Sequence, residues 1–186
     1  MEVLDYIYNR YSVRDFKSDA IPDDVLDTIL EAGRLAPSGQ NRQCWQFIVV
    51  TDKDIIKKIA RHSFIGLINH FLSNAPVVIV ACADPEKSLV LNDQPMYLVD
   101  LTLSFQQMIM AAWNYGIGSC WLGGFHEKSL KKVLNIPEQI RIVAMSPFGY
   151  PAEKKSFYSK VVSLVSSSKK RLAKEQIIHY NIWEDK

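Results

Sequence analysis

At 186 residues the chain is long enough to bury a sizeable core and fits one domain, or one domain with an appendage. Its 48% hydrophobic and 23% charged residues are ordinary for a globular protein, and a net charge of +2 gives no global field favouring nucleic acid or membrane. The longest clean apolar runs are too short to span a bilayer, Met1–Asp5 carries acids and no secretory apolar stretch, and Cys44, Cys82 and Cys120 lack any C-x-x-C pair. Disulfides and zinc are not expected, and a reducing cytoplasm is.

Leu4, Ile7, Tyr8 and Tyr11 line one face of a short opening helix. It leads into Arg10-Tyr11-Ser12-Val13-Arg14-Asp15-Phe16, where two arginines four apart flank a serine. These residues suit solvated helix-end charges, and equally an anion clamp, since guanidinium groups bind phosphate bidentately and a hydroxyl can add a further bond. Val25, Leu26, Ile29 and Leu30 fall at helical spacing after Pro22, and Pro37 ends that helix. Phe47 to Val50 reads as a buried strand. Between them, Ser38-Gly39-Gln40-Asn41-Arg42-Gln43 has no apolar side chain. It is either a solvated turn or a loop whose donors face a polar, planar ligand.

Thr51 is a candidate N-cap for an amphipathic helix marked by Ile55, Ile56 and Ile59, and a second apolar helix is expected from Phe64 to Leu72. Val77 to Ala83 reads as a fully buried strand. His62, His70, His126 and His179 show no metal-ligand spacing, so no metal site is expected. Pro95 to Tyr115 is the longest element, apolar nearly all round, and must be buried on most sides, centrally or against a partner. Gly116 suits its C-cap. In Gly116-Ile117-Gly118-Ser119-Cys120-Trp121-Leu122-Gly123-Gly124-Phe125 the glycine spacing is not that of a dinucleotide loop. Either glycines punctuate a strand, or Gly123 and Gly124 bring backbone N–H groups close to a ligand.

Leu130, Val133 and Leu134 mark a short helix whose other face, Lys128, Lys131 and Lys132, reads as solvated. Ile140, Ile142 and Ala144 alternate as in a half-buried strand, and Gly149-Tyr150-Pro151 reads as a turn. From Ala152 the composition shifts to lysine and serine, with a short helix around Phe157, Val161, Val162, Leu164 and Val165. Ser166-Ser167-Ser168 then breaks the chain before Lys169-Lys170-Arg171. The closing stretch Ile177-Ile178-His179-Tyr180-Asn181-Ile182-Trp183 is apolar for a terminus and should dock on something.

Five ordered segments together resemble the nitroreductase family of flavin mononucleotide (FMN) oxidoreductases. They are R-Y-S-V-R-D-F at 10–16, A-P-S-G-Q-N-R-Q-C-W at 36–45, G-I-G-S-C-W-L-G-G-F at 116–125, F-G-Y-P-A at 148–152 and K-K-R-L-A-K-E-Q-I-I-H-Y-N-I-W at 169–183. The resemblance implies an α+β fold, a mostly antiparallel central sheet flanked by helices. It implies a homodimer with FMN in two interface clefts, residues 1–168 forming the FMN-binding domain and 169–186 a tail docking on the partner subunit. By the same resemblance Arg10, Ser12 and Arg14, with Tyr11 beside them, hold the phosphate and ribityl chain. Pro37, Ser38, Gly39 and Asn41 reach the flavin from the other subunit. Trp121, Leu122, Gly123 and Gly124 run along the isoalloxazine with a backbone N–H near N5, and Lys169 and Arg171 return to the phosphate.

The implied activity is ping-pong reduction of nitroaromatic or quinone acceptors by NADH or NADPH, with hydride passing through flavin N5 and no side chain acting as catalytic acid or base. Dehydrogenation, reductive dehalogenation or a flavin-binding module without turnover are the alternatives. A small-molecule acceptor is the expected partner, with no nucleic acid and no membrane. The chain departs from the family pattern at Cys44, where many members have proline, at Gly39, where many have serine, and at Gly123, where larger members carry glutamate. The segment 156–168 is also longer than the pattern implies.

Overall fold

The computed structural model describes residues 3–63, 70–165 and 171–183. They form two compact units, 1–154 and 155–186, whose division lies beside the compositional shift at Ala152. The first unit holds α1 (Val3–Asn9), α2 (Asp23–Arg34), β1 (Trp45–Val50), α3 (Lys53–His62), β2 (Val77–Ala83), the hairpin β3 (Val90–Leu91) and β4 (Gln94–Pro95), α4 (Tyr97–Asn114), β5 (Gly118–Ser119), α5 (Glu127–Leu134) and β6 (Arg141–Gly149). The second unit holds α6 (Phe157–Val165) and α7 (Lys174–Ile177), with His179 stacked on Trp183 at a ring separation of 4.3 Å.

The sheet runs β1-β2-β6-β5 with every pairing antiparallel, so the fold is α+β, as the sequence implies. Strand β2 explains the layering. All seven of its residues are buried, and because side chains alternate across a strand they divide between two cores. Val77, Ile79, Ala81 and Ala83 meet Ile29 of α2 and Leu101, Phe105, Met108 and Ala112 of α4. Val78, Val80 and Cys82 meet Ile56 and Ile59 of α3 and Leu130 of α5. Three layers result, with the sheet in the middle.

Helix α4 buries Tyr97, Leu101, Phe105, Met108, Ile109 and Ala112, yet leaves Leu98, Val99 and Leu103 42–45% exposed. It ends as expected at Gly116, whose φ of 72° lets its own N–H and that of Ile117 return to the carbonyls of Trp113 and Ala112.

Several expectations need correction. The N-cap of α3 is Asp52, not Thr51: its carboxylate accepts the N–H groups of Asp54 and Ile55, two donors no neutral hydroxyl would hold as well. Lys131 is buried, not solvated, because its Nζ donates to the Glu138 carbonyl at 2.6 Å and faces the Glu127 carboxylate at 3.8 Å. Strand β6 is central and fully buried from Ala144 to Gly149, since β5 and β2 flank it on both sides. Beyond it Tyr150 and Pro151 stay extended instead of turning, held by the Lys17 N–H on the Tyr150 carbonyl and a bridge between Phe16 and Pro151. Of the expected helix at 64–72, residues 64–69 lie outside the described residues, and His70–Asn74 is a 3-10 turn.

Candidate functional site

Only the first residue of the arginine segment stands at a helix end, the Arg10 N–H donating to the Tyr6 carbonyl at 3.0 Å. Helix α1 stops at Asn9, and the chain runs extended against β5, with a parallel bridge from Ser12 to Ser119 and the Val13 N–H on the Ser119 carbonyl at 2.8 Å. In extended backbone alternate residues share a side, so Arg10, Ser12 and Arg14 point one way while Val13 inserts into the core at 1% exposure. Gly118 makes this approach possible. A Cβ there would lie 2.4 Å from Val13 Cγ2, closer than real side chains come.

Behind the three polar side chains lies the thiol of Cys120. Burial pushes it up, while Arg14, the Ser12 hydroxyl and Arg10 pull the other way. Both arginines thus act on the same buried thiol beside β5. Neither arginine pairs with a carboxylate among the described residues. Arg14 makes only a long bond, 3.4 Å, to the Ser12 carbonyl. Two half-buried cations with no salt-bridge partner among the described residues suit an anion from outside.

The strand after Cys120 continues this site. Leu122 exchanges both backbone hydrogen bonds with Met145, at 2.8 and 3.0 Å, so its N–H is already used. The N–H groups of Gly123 and Gly124 donate to no described residue. Among the described residues nothing lies within 4 Å of a Cβ built on Gly123, so none of them demands glycine there. Gly123 opens onto a cleft of about 320 Å³ shared with Tyr97, Leu98, Phe125, Glu127, Arg141 and Val143. Trp121 keeps 37% exposure with its ring 5.1 Å from that of Phe105.

The polar loop is built differently. Gln40, Asn41 and Gln43 have φ of 51°, 56° and 47°, left-handed values that non-glycine residues seldom adopt. Internal bonds maintain them: Ser38 Oγ accepts the Gln43 N–H at 2.9 Å, and Gln43 Nε2 reaches the Asn41 side chain at 3.1 Å. The loop is tied to α4 by the Gly39 N–H, which donates to Asp100 Oδ1 at 3.1 Å. Pro37 and Asn41 are exposed, and Ser38 and Gly39 half-buried.

The structure therefore brings Arg10, Tyr11, Ser12 and Arg14 together with the strand leading to Trp121, Leu122, Gly123 and Gly124. It sets Pro37, Ser38, Gly39 and Asn41 on a separate loop near the start of α4. Arg171 is exposed in the second unit, and Lys169 lies outside the described residues. Gly118, Cys120 and Asp100 escape the sequence reading. Asp100 alone left a signal, as the single charge in an otherwise uncharged 18-residue helix. The three cysteines are buried thiols, that of Cys82 pushed up to about 12 chiefly by burial, which keeps it protonated and inert. Among the described residues no group of His, Cys, Asp and Glu could hold a metal, and no helix is long and apolar enough to cross a membrane.

Comparison with known proteins agrees with this geometry. The family model described as Nitroreductase family matches residues 7–70 and 66–150. A protein of Archaeoglobus fulgidus bearing the provisional name NADH dehydrogenase/NAD(P)H nitroreductase is 38% identical, over 84% of this chain and 90% of its own length. The crystal structure of a nitroreductase family protein from Clostridium novyi superposes with a TM-score of 0.79 at 32% identity, covering 84% of this chain and 89% of that one. A structure named FMN-dependent Nitroreductase from Clostridium difficile also gives 0.79, at 26% identity, covering 97% of this chain and all of that one. The chain belongs to the nitroreductase family.

Proposed function

We propose that this protein is an FMN-dependent oxidoreductase that takes electrons from NADH or NADPH and delivers them to nitroaromatic or quinone acceptors. It works as a cytoplasmic homodimer with flavin in two interface clefts. The observation that carries the reading is the cation pair Arg10 and Arg14, without carboxylate partners among the described residues, on a segment paired with β5, whose chain runs on to two glycine N–H groups that donate to no described residue. A flavin nucleotide combines an anionic phosphate with a planar ring rich in hydrogen-bond acceptors, and these residues supply cations for the one and backbone donors for the other.

Arg10, Ser12 and Arg14 would hold the phosphate and ribityl chain, with Tyr11 steadied by its edge-on contact with Trp113 at 5.4 Å. The segment from Trp121 to Gly124 would border the ring, Gly123 leaving room that a side chain would fill. Pro37, Ser38, Gly39 and Asn41 would reach the flavin of the other subunit, and Lys169 and Arg171, on the tail that docks there, would add cations at the phosphate. When bound, FMN supplies a two-electron carrier between nicotinamide and acceptor. The chain's part is to bind, orient and exclude water, and no side chain is assigned a proton to move.

The reading is tested on the purified protein. It should be yellow, take up FMN after the flavin is stripped, and oxidise NADH or NADPH faster when a soluble quinone is added. Double-reciprocal plots at several fixed quinone concentrations should be parallel, as for one site used in turn. A stripped protein that takes up no FMN, or intersecting lines, would overturn the reading.

A further inference from the structure

Asp100 is the least explained group in the chain. It is 3% exposed, in the first turn of α4, and makes no ion pair with any described cation. A buried carboxylate without a cation is costly, and a fold would discard it unless it did something an apolar residue could not. Its hydrogen bond runs from the Gly39 N–H, 61 residues away in sequence, to Oδ1 at 3.1 Å. Gly39 opens the helical turn Gly39–Asn41, so the bond grips the loop where its left-handed course begins. A Cβ on Gly39 would come within 3.1 Å of Leu89 Cδ1 and 3.9 Å of Asp100 Oδ2, so the loop already lies closely against its anchor. The same carboxylate adds to burial in raising the thiol of Cys44, at the loop's far end.

We propose that Asp100 is a positioning residue: its carboxylate fixes the Ser38–Gln43 loop in the strained course that presents Ser38, Gly39 and Asn41 to the flavin of the neighbouring subunit. This rests on the proposed flavin role of that loop. The loop's other bonds are internal and would travel with it, whereas Asp100 stands on a helix packed into the core. Removing the carboxylate should let the strained backbone relax without disturbing the core.

The test compares full-length wild type, Asp100→Ala and Asp100→Asn. The asparagine amide oxygen can still accept the Gly39 N–H, so it serves as the rescuing variant. Each protein is stripped of flavin, titrated with FMN, melted without flavin, and followed by hydrogen exchange in the 38–43 peptide. Asp100→Ala should lose ten- to a hundredfold in FMN affinity and exchange faster in that peptide, with an unchanged or higher flavin-free melting midpoint. Asp100→Asn should stay within about threefold of wild-type affinity.

Wild-type affinity in Asp100→Ala would overturn the proposal. So would a loss matched by a lower flavin-free melting midpoint, or a failure of Asp100→Ala to fold, either of which assigns Asp100 a fold-wide role. A wild type that takes up no FMN would instead remove the flavin reading itself, and this role with it.

Discussion

Gly118 is the position where packing and the proposed anion site can be separated by one methyl group. In Gly118→Ala the new Cβ would sit 2.4 Å from Val13 Cγ2, 2.8 Å from Val13 Cβ and 3.1 Å from Val13 Cγ1, whereas ordinary contact starts near 3.4 Å. Val13 cannot rotate away, because it is β-branched and 1% exposed. The extended segment must therefore lift from β5 by about 1 Å. Overpacking of this kind costs roughly 1–3 kcal/mol, a few degrees of melting temperature in a domain of this size. The lift also carries Arg10, Ser12 and Arg14 away from their common focus, and losing one charge-assisted bond costs about 1.5–3 kcal/mol, ten- to a hundredfold in FMN affinity. Thermal melting and FMN titration of the stripped protein read the two effects. Adding Val13→Ala removes the contacts at 2.4 and 3.1 Å but leaves the one at 2.8 Å, so affinity should recover in part. Wild-type melting and affinity in Gly118→Ala would refute the reasoning.

Gly123 should behave in the opposite way. No described residue lies within 4 Å of its Cβ position, so Gly123→Val should melt within about 1 kcal/mol of wild type while losing at least tenfold in FMN affinity or quinone turnover. Normal affinity and turnover would make the glycine pair a simple turn. Glu127 carries a pH prediction. Burial works to raise its carboxyl, but the Arg141 side chain at 2.9 Å, the Ile142 N–H and the charges of Arg141 and Lys131 together hold it below its ordinary value of 4.5. A depressed acid contributes stability above its unfolded value and loses it as pH falls through the folded one. Glu127→Gln should therefore be about 1–2 kcal/mol less stable than wild type at pH 7, with the gap closing as pH falls through the depressed value of the folded carboxyl. A gap independent of pH would contradict this.

The parts of the fold legible in the sequence are those set by local chemistry. The unbroken apolar run of β2, the proline before α2 and the glycine after α4 each impose their geometry through the next few residues, and each element lies where that geometry puts it. What failed depends on side-chain orientation or on residues far away. Thr51 and Asp52 are both capable caps, and the choice between them is one of orientation. Lys131 looks like its solvated neighbours Lys128 and Lys132 until the chain past Pro137 brings the Glu138 carbonyl to it. The extended course of the arginine segment is hidden because its partner, the backbone of Ser119, is over a hundred residues on, and the lone charge of Asp100 marks α4 without showing that Gly39 lies beside it. The resemblance therefore proposes site residues whose packing could not be derived from the sequence.

One chain by itself leaves two kinds of unfinished surface, and they adjoin. Helix α1 lies against α4 and runs directly into Arg10, while Tyr11 packs on Trp113 near the end of α4. On these helices Leu4, Ile7, Tyr8, Leu98, Val99 and Leu103 are each at least 42% exposed. Covering six such side chains would contribute on the order of 10 kcal/mol, which is comparable with the roughly 4–15 kcal/mol of freedom lost when two proteins associate. Apolar area alone thus brings a second copy close to balance without settling the outcome. In the proposed dimer the two arginines, which have no carboxylate partner among the described residues, and the strained loop would supply what is missing once a flavin is present, since an anionic, acceptor-rich ligand would give both something to bind. In the proposed dimer, cofactor and partner are for that reason a single requirement: each makes the other's binding surface worth its cost.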